Sequence, residues 1–213
     1  MPPYLSITTD IEHELIIKKS RFITNLKRVT TEDEAIAFIN QIKKQHYKAN
    51  HNCSAFMIGE QHQIQRMSDD GEPSGTAGNP MLEVLKRNDV HNVVAVVTRY
   101  FGGIKLGAGG LIRAYAGAVA QAIETVGLVE RLNMNNVTLT IEYAQLDKIN
   151  YWLTTNNYPL PTAVYTDHVT LTLPIRTTDI AFFKDSLNTL LKQNIALSVD
   201  EATFQEIPYH KVE

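Results

Sequence analysis

Apolar and polar positions in this chain alternate in two rhythms, and the places where one gives way to the other predict the elements. After a short N-terminal tail, Ile11–Ile17 and Arg21–Val29 read as the strands of a hairpin, with Lys18, Lys19 and Ser20 between them. Thr31 followed by Glu34 is a capping-box pattern, and Ala35, Phe38, Ile39 and Ile42 continue from it at helical spacing. Cys53, Ala55 and Met57 mark a strand, Gly59 to His62 a turn, and Ile64–Met67 the return strand of a second hairpin. A short helix follows, with Asn79 as N-cap, Pro80 at the first helical position, and Met81, Val84 and Leu85 on its apolar face. The unbroken run Val93–Val97 is typical of a strand covered on both faces. Leu111, Tyr115, Ala118, Val119, Ala122 and Val126 then share one stripe of a strong helix, ended by Gly127. These elements make an α+β sandwich, with a sheet on one side and helices on the other.

From Val137 the order changes. Val137, Leu139, Ile141 and Tyr143 alternate as a strand, and Leu146, Ile149 and Leu153 mark a helix. Ala163–Tyr165 is a short strand, and Val169, Leu171, Leu173 and Ile175 alternate as another. Ile180, Phe183, Leu187 and Leu190 give a second helix, and Ala196–Phe204 a closing strand. The order β-α-β-β-α-β is that of a ferredoxin-like domain.

Composition sharpens this division. The 213 residues suffice for two small domains, each with its own core. Residues 1–134 hold 15 Lys and Arg against 14 Asp and Glu, and residues 135–213 hold 5 against 9, so the net charge moves from +1 to −4. Glycine ends at Gly127. The expected domains are therefore 1–134 and 135–213, with the polar stretch Arg131–Asn136 as the connection. No apolar run approaches the roughly 18 residues of a membrane span, and the single cysteine, Cys53, fits a reducing cytoplasm. A cytoplasmic location with no membrane partner is expected. The net charge of −3 argues against a general nucleic-acid coat while allowing a local basic patch.

Candidate chemistry gathers in two glycine-dense loops, Ser68–Pro80 (SDDGEPSGTAGNP) and Arg99–Gly110 (RYFGGIKLGAGG), each running into a helix. Nine of the eleven glycines lie from Gly71 to Gly117. Bare backbone amides at a helix start favour an anion. In the second loop Gly102, Gly103, Gly107, Gly109 and Gly110, with Arg99, Lys105 and Arg113, form a candidate anion cradle; the alternative is a tight strand-to-helix connection with glycines for packing. It is neither a P-loop nor Gly-x-Gly-x-x-Gly, because Ile112 stands where the last glycine belongs. In the first loop Ser74, Gly75, Thr76 and Gly78 are candidate phosphate contacts, and Asp69, Asp70 and Glu72 a candidate acidic site; the alternative is an ordinary solvated turn. His46, His51 and Cys53 resemble metal ligands, but structural zinc takes four and His62 need not join them. No metal, cofactor or catalytic residue is assigned. Lys18, Lys19, Arg21, Phe22, Arg66, Arg99, Tyr100, Phe101, Lys105 and Arg113 could share one positive face, with Phe101 expected to cap the core. Tyr151, Trp152 and Tyr158 are expected at the core and rim of the acidic C-terminal part, which suits protein contact better than phosphate.

The two loops, followed by VTRYFGGIKLGAGGLIRAYAGA and accompanied by HNCSAFMIG (His51–Gly59) and KKSRFI (Lys18–Ile23), resemble the IMPACT/YigZ family over roughly residues 10–130. The weaker C-terminal pattern is similar to the small domain that bacterial members append. This resemblance implies an N-terminal fold like the second domain of a small-subunit ribosomal protein and a C-terminal one like the last domain of elongation factor G. It also implies a link to translational control, through RNA, the ribosome or a protein partner, with no reaction attached. The chain is thus expected to be a translation-associated binding protein that contacts nucleic acid or an acidic protein surface. A small-molecule enzyme or nucleotide binder acting on a phosphorylated ligand is the alternative.

Overall fold

The computed structural model describes residues 4–59 and 61–209. They divide into two compact units: residues up to Arg131 together with those from Glu206 on, and Leu132–Gln205.

The first unit is built on a five-stranded antiparallel sheet. Its strands are β2 (Ile11–Ile17), β3 (Ser20–Arg28), β4 (His51–Ile58), β5 (Ile64–Ser68) and β6 (Val93–Tyr100), in the order β2-β3-β6-β4-β5. Strand β6 shows why its sequence reads as a continuous apolar run. Val93, Ala95 and Val97 face one core while Val94 and Val96 face another. On the first face pack helices α2 (Gly78–Arg87) and α3 (Ala108–Val126), burying Met81, Leu85, Leu111, Tyr115 and Val119. Helix α1 (Glu32–Gln45) covers the other face with Ala35 and Ile42 against Phe56, Val94 and Val96. The expected helices-on-one-side sandwich is therefore corrected to three layers. The amphipathic stripe of α1 determines which face of the helix is buried and leaves open which face of the sheet receives it.

Local signals explain most boundaries. Thr31 caps α1, its Oγ1 accepting from Glu34 N at 3.2 Å, while Glu34 Oε2 accepts from Thr30 N at 2.6 Å. The β2–β3 hairpin turns on Lys18 and Lys19 with φ of 45° and 66°, the two positive values of a type I′ turn. Two expectations fail. The N-terminal tail holds a strand, β1 (Tyr4–Ile7), paired antiparallel with Leu128–Arg131 at the start of β7 (Leu128–Ile141). Helix α2 begins at Gly78, so Asn79 is not its N-cap and Pro80 is the third helical residue.

In the second unit β7 continues as a strand, so the polar stretch at 131–136 is no loop. It pairs antiparallel with β9 (Val169–Arg176) and with β10 (Leu197–Val199), and β8 (Thr162–Tyr165) flanks β9. Helices α4 (Leu146–Thr155) and α5 (Ile180–Leu191) bury Ile149, Leu153, Phe183 and Leu187 against this sheet. The strand order β8-β9-β7-β10 is the ferredoxin-like arrangement. The single closing strand expected at 196–204 is two, β10 and β11 (Thr203–Tyr209). Trp152 stacks on Tyr158 at 5.3 Å, and Tyr151 is 75% exposed.

Candidate functional site

The two glycine loops meet. Glu72 and Pro73 of the first loop, and Arg99, Phe101, Lys105, Leu106, Gly107 and Ala108 of the second, line one open cleft of about 390 Å³ with Asn50 and His51. Sheet register brings them together, because β6 pairs with β4 and sets Arg99 opposite His51. Asn50 stitches the second loop in place: its N–H donates to Arg99 O at 3.0 Å, and its Oδ1 accepts from Phe101 N at 2.8 Å.

The three carboxylates of the first loop have separate tasks. Asp69 accepts from Gly75 N at 2.8 Å, Ala77 N at 3.0 Å and Gly78 N at 2.8 Å, and so occupies the amides at the start of α2. Burial alone would raise Asp69, but these donors together outweigh it and hold its carboxyl below the usual value. Asp70 accepts from Lys43 Nζ at 2.6 Å and Asn52 N at 2.7 Å; burial again pulls upward, and Lys43 and the amide bring it below the usual value. Glu72 is 8% exposed. It accepts from Arg99 Nη1 at 2.6 Å and Tyr115 Oη at 2.8 Å, forming a buried ion pair beneath the cleft. The Arg99 guanidinium lies between the rings of Phe22 and Phe101, at 5.4 and 5.5 Å from their centroids. Burial, with Cys53 and Glu72 adding to it, pushes the Tyr115 hydroxyl far up, so it stays a donor.

The expected phosphate contacts of the first loop are largely spent internally. The Gly75 and Gly78 amides belong to Asp69. A Cβ on Gly78 would lie 2.8 Å from Ser68 N, so close packing explains that glycine. Thr76 is buried and donates to Pro73 O at 2.6 Å, while Ser74 is exposed.

The second loop differs. Gly102 packs against the lysine hairpin, where a Cβ would come within 2.0 Å of the Lys19 carbonyl carbon. Gly103 and Gly107 have φ of +84° and +71° in open space. Gly107 is the N-cap of α3, and no side chain caps this helix. Gly109 and Gly110 stand in its first turn, and a Cβ on Gly109 would meet nothing nearer than Arg113 Nη1 at 3.9 Å. Arg21, Arg66 and Arg99 are paired with Glu14, Glu32 and Glu72. Among the described residues Lys105 and Arg113 enter no ion pair. Phe101, expected under the loop, is 45% exposed with Ile104 at 41% and Ile112 at 42%, whereas Phe22 is core. Tyr100 is half-buried, its hydroxyl 3.0 Å from His46 Nδ1.

His46, His51 and Cys53 do not converge. His51 Nδ1 donates to Asp70 O at 2.9 Å, and Cys53 Sγ to Asp69 O at 3.0 Å. Burial, reinforced by nearby carboxylates, pushes the Cys53 thiol up to about 12, the opposite of what a nucleophilic thiolate needs. Asn50 is a cleft residue that sequence reasoning did not single out, and His51, weighed there as a metal ligand, lines the cleft instead.

A profile described as the Impact N-terminal domain matches residues 18–123, and one described as a domain of unknown function (DUF1949) matches residues 139–193. The chain is 45% identical over 203 residues to "IMPACT family member YvyE" of Bacillus subtilis, covering 95% of this chain and 94% of that one. The chain belongs to the IMPACT family. Another member, YigZ of Escherichia coli, is 44% identical over 135 residues, 62% of this chain and 66% of YigZ. A solved structure titled as a hypothetical protein is 35% identical with a TM-score of 0.60, covering 94% of this chain and 98% of that one. No helix among the described residues is long and apolar enough to cross a membrane. The Impact profile spans both glycine loops, so the cleft lies within the part of the chain that gives the family its name.

Proposed function

We propose that this IMPACT family member is a cytoplasmic, translation-associated binding protein that holds RNA through the cleft between its two glycine loops. The observation that carries the reading is the uncapped first turn of α3, with Lys105 and Arg113 beside it and Arg99 below. Amides at a helix start stabilise a phosphate, and Lys105 and Arg113, which enter no ion pair among the described residues, supply the charge. Phe101, exposed with Arg99 behind its ring, offers a stacking face for an unpaired base. Exposed Lys18 and Lys19, whose turn abuts Gly102, extend the basic surface.

A contact with an acidic protein surface is the second reading, supported by the exposed apolar side chains of Ile104 and Ile112 beside the same cations. The enzyme alternative receives less support. Asp69 and Asp70 are committed to structural hydrogen bonds and Glu72 to Arg99 and Tyr115, leaving no carboxylate of the three unengaged in the cleft.

Filter binding to ribosomal RNA fragments at several salt concentrations tests the proposal. Affinity falls steeply with salt if phosphates are neutralised, because each contact releases a condensed counterion. Lys105→Ala or Arg113→Ala weakens binding across sequences and lowers the log–log slope by about 0.7 per contact with single-stranded RNA. No salt-dependent binding by the wild type overturns the RNA reading and favours a protein partner.

A further inference from the structure

A second cluster of chemistry lies in the first unit and outside the cleft. His62 stands in the β4–β5 turn, Asp89 follows α2, and His91 precedes β6. Their ligand atoms all lie within 4.8 Å of one another. Asp89 Oδ1 is 3.3 Å from His91 Nε2 and 3.7 Å from His62 Nε2. Ligands about 2.0–2.1 Å from a tetrahedral zinc ion are about 3.3 Å apart, and the two carboxylate–imidazole spacings are close to that edge. We propose that His62, Asp89 and His91 form a binding site for a divalent transition metal ion of the zinc class.

The surroundings fit ligands better than a solvated cluster. His91 is 6% exposed. Its Nδ1 lies 3.1 Å from Gly59 O, and a carbonyl can only accept, so Nδ1 is the donor there and Nε2 is the ring nitrogen turned toward Asp89. Metal-bound histidines are commonly oriented by this kind of bond. The same loop is held from its other side, with Gly59 N donating to Asn92 Oδ1 at 2.9 Å. Among the described residues His62 Nε2 is buried without a hydrogen-bond partner, and a buried polar atom left unpaired costs free energy. The two rings lie 3.8 Å apart between centroids, their planes tilted by 31°. Asp89 is exposed, giving an ion an entry path and a position for water as a fourth ligand. Two imidazoles and one carboxylate suit zinc, cobalt or nickel rather than magnesium or calcium.

The test is cobalt(II) titration of the metal-stripped full chain, followed by displacement with zinc(II). His62 and Asp89 have φ of 54° and 49°, so His62→Asn and Asp89→Asn keep a residue type that tolerates the left-handed region. The wild type takes up one equivalent of cobalt with the visible bands of a four-coordinate site, and zinc bleaches them. Each substitution weakens binding by about tenfold or more, while His51→Gln and His168→Gln leave it unchanged. Absence of cobalt bands in the wild type overturns the proposal, as does wild-type affinity in the two asparagine variants. Circular dichroism melts of the apo variants separate lost ligation from lost folding.

Discussion

Helices α2 and α3 both start from glycine-rich loops on the same face of one sheet, yet their first turns are opposites. At α2 the carboxylate of Asp69 fills the amides of Gly75, Ala77 and Gly78. At α3 the cap is Gly107, which has no side chain to offer, and Lys105 and Arg113 flank it with no acidic partner among the described residues. A glycine-dense loop is therefore not one kind of object. One of these loops is stitched shut by its own acids and serves the fold. The other leaves its helix dipole and its cations facing solvent, and is the better place to meet an anion.

The largest expected effect falls on the shared floor. Glu72→Ala leaves Arg99 buried without its counter-charge and should destabilise by about 3–5 kcal/mol in urea unfolding. A loss below about 1 kcal/mol would mean the two loops are not held by this pair. Next comes Asp69→Ala, which strands the α2 amides and should cost about 1–2 kcal/mol. Because the folded Asp69 carboxyl lies below its ordinary value, its contribution is present above the usual carboxylate range and fades as pH falls through the folded value. Asp69→Asn should accordingly flatten the acid limb of the stability profile, and an unchanged limb would place the acid sensitivity elsewhere.

Lys105→Ala and Arg113→Ala should leave stability within about 0.5 kcal/mol of wild type, their effect appearing in RNA binding alone. A large stability loss would make the second loop structural like the first. The smallest and most discriminating change is Gly109→Ala. Glycine in a helix is unfavourable by about 0.5–1 kcal/mol relative to alanine, and nothing crowds a Cβ here. Melting should therefore rise slightly while anion affinity falls. A rise in both would show that Gly109 is not kept for close approach of a ligand.

How much of this was legible varies with distance along the chain. The β2–β3 hairpin, the cap at Thr31, the stripe of α3 and the β-α-β-β-α-β order were all readable, because each rests on residues a few positions apart. Strand β1 was not, since Tyr4–Ile7 is four residues whose partner, Leu128–Arg131, is remote in sequence. Phe101 looked like a core residue from its type, and only the placement of Arg99 and Asn50 beneath its loop turns it outward. The histidines taught the same lesson. His46, His51 and Cys53 are near in sequence and bind different partners, whereas His62, Asp89 and His91 converge from separate elements.

Most of the elements, the ferredoxin-like order and the family could be read along the chain, because periodicity, caps and long motifs act locally. Tertiary structure decided which acid closes which helix, that α1 lies on the opposite face of the sheet, and that Glu72 and Arg99 share a buried floor. Those choices depend on which buried donor finds which acceptor, and a low-dielectric interior enforces such pairings between residues that sequence distance does not relate.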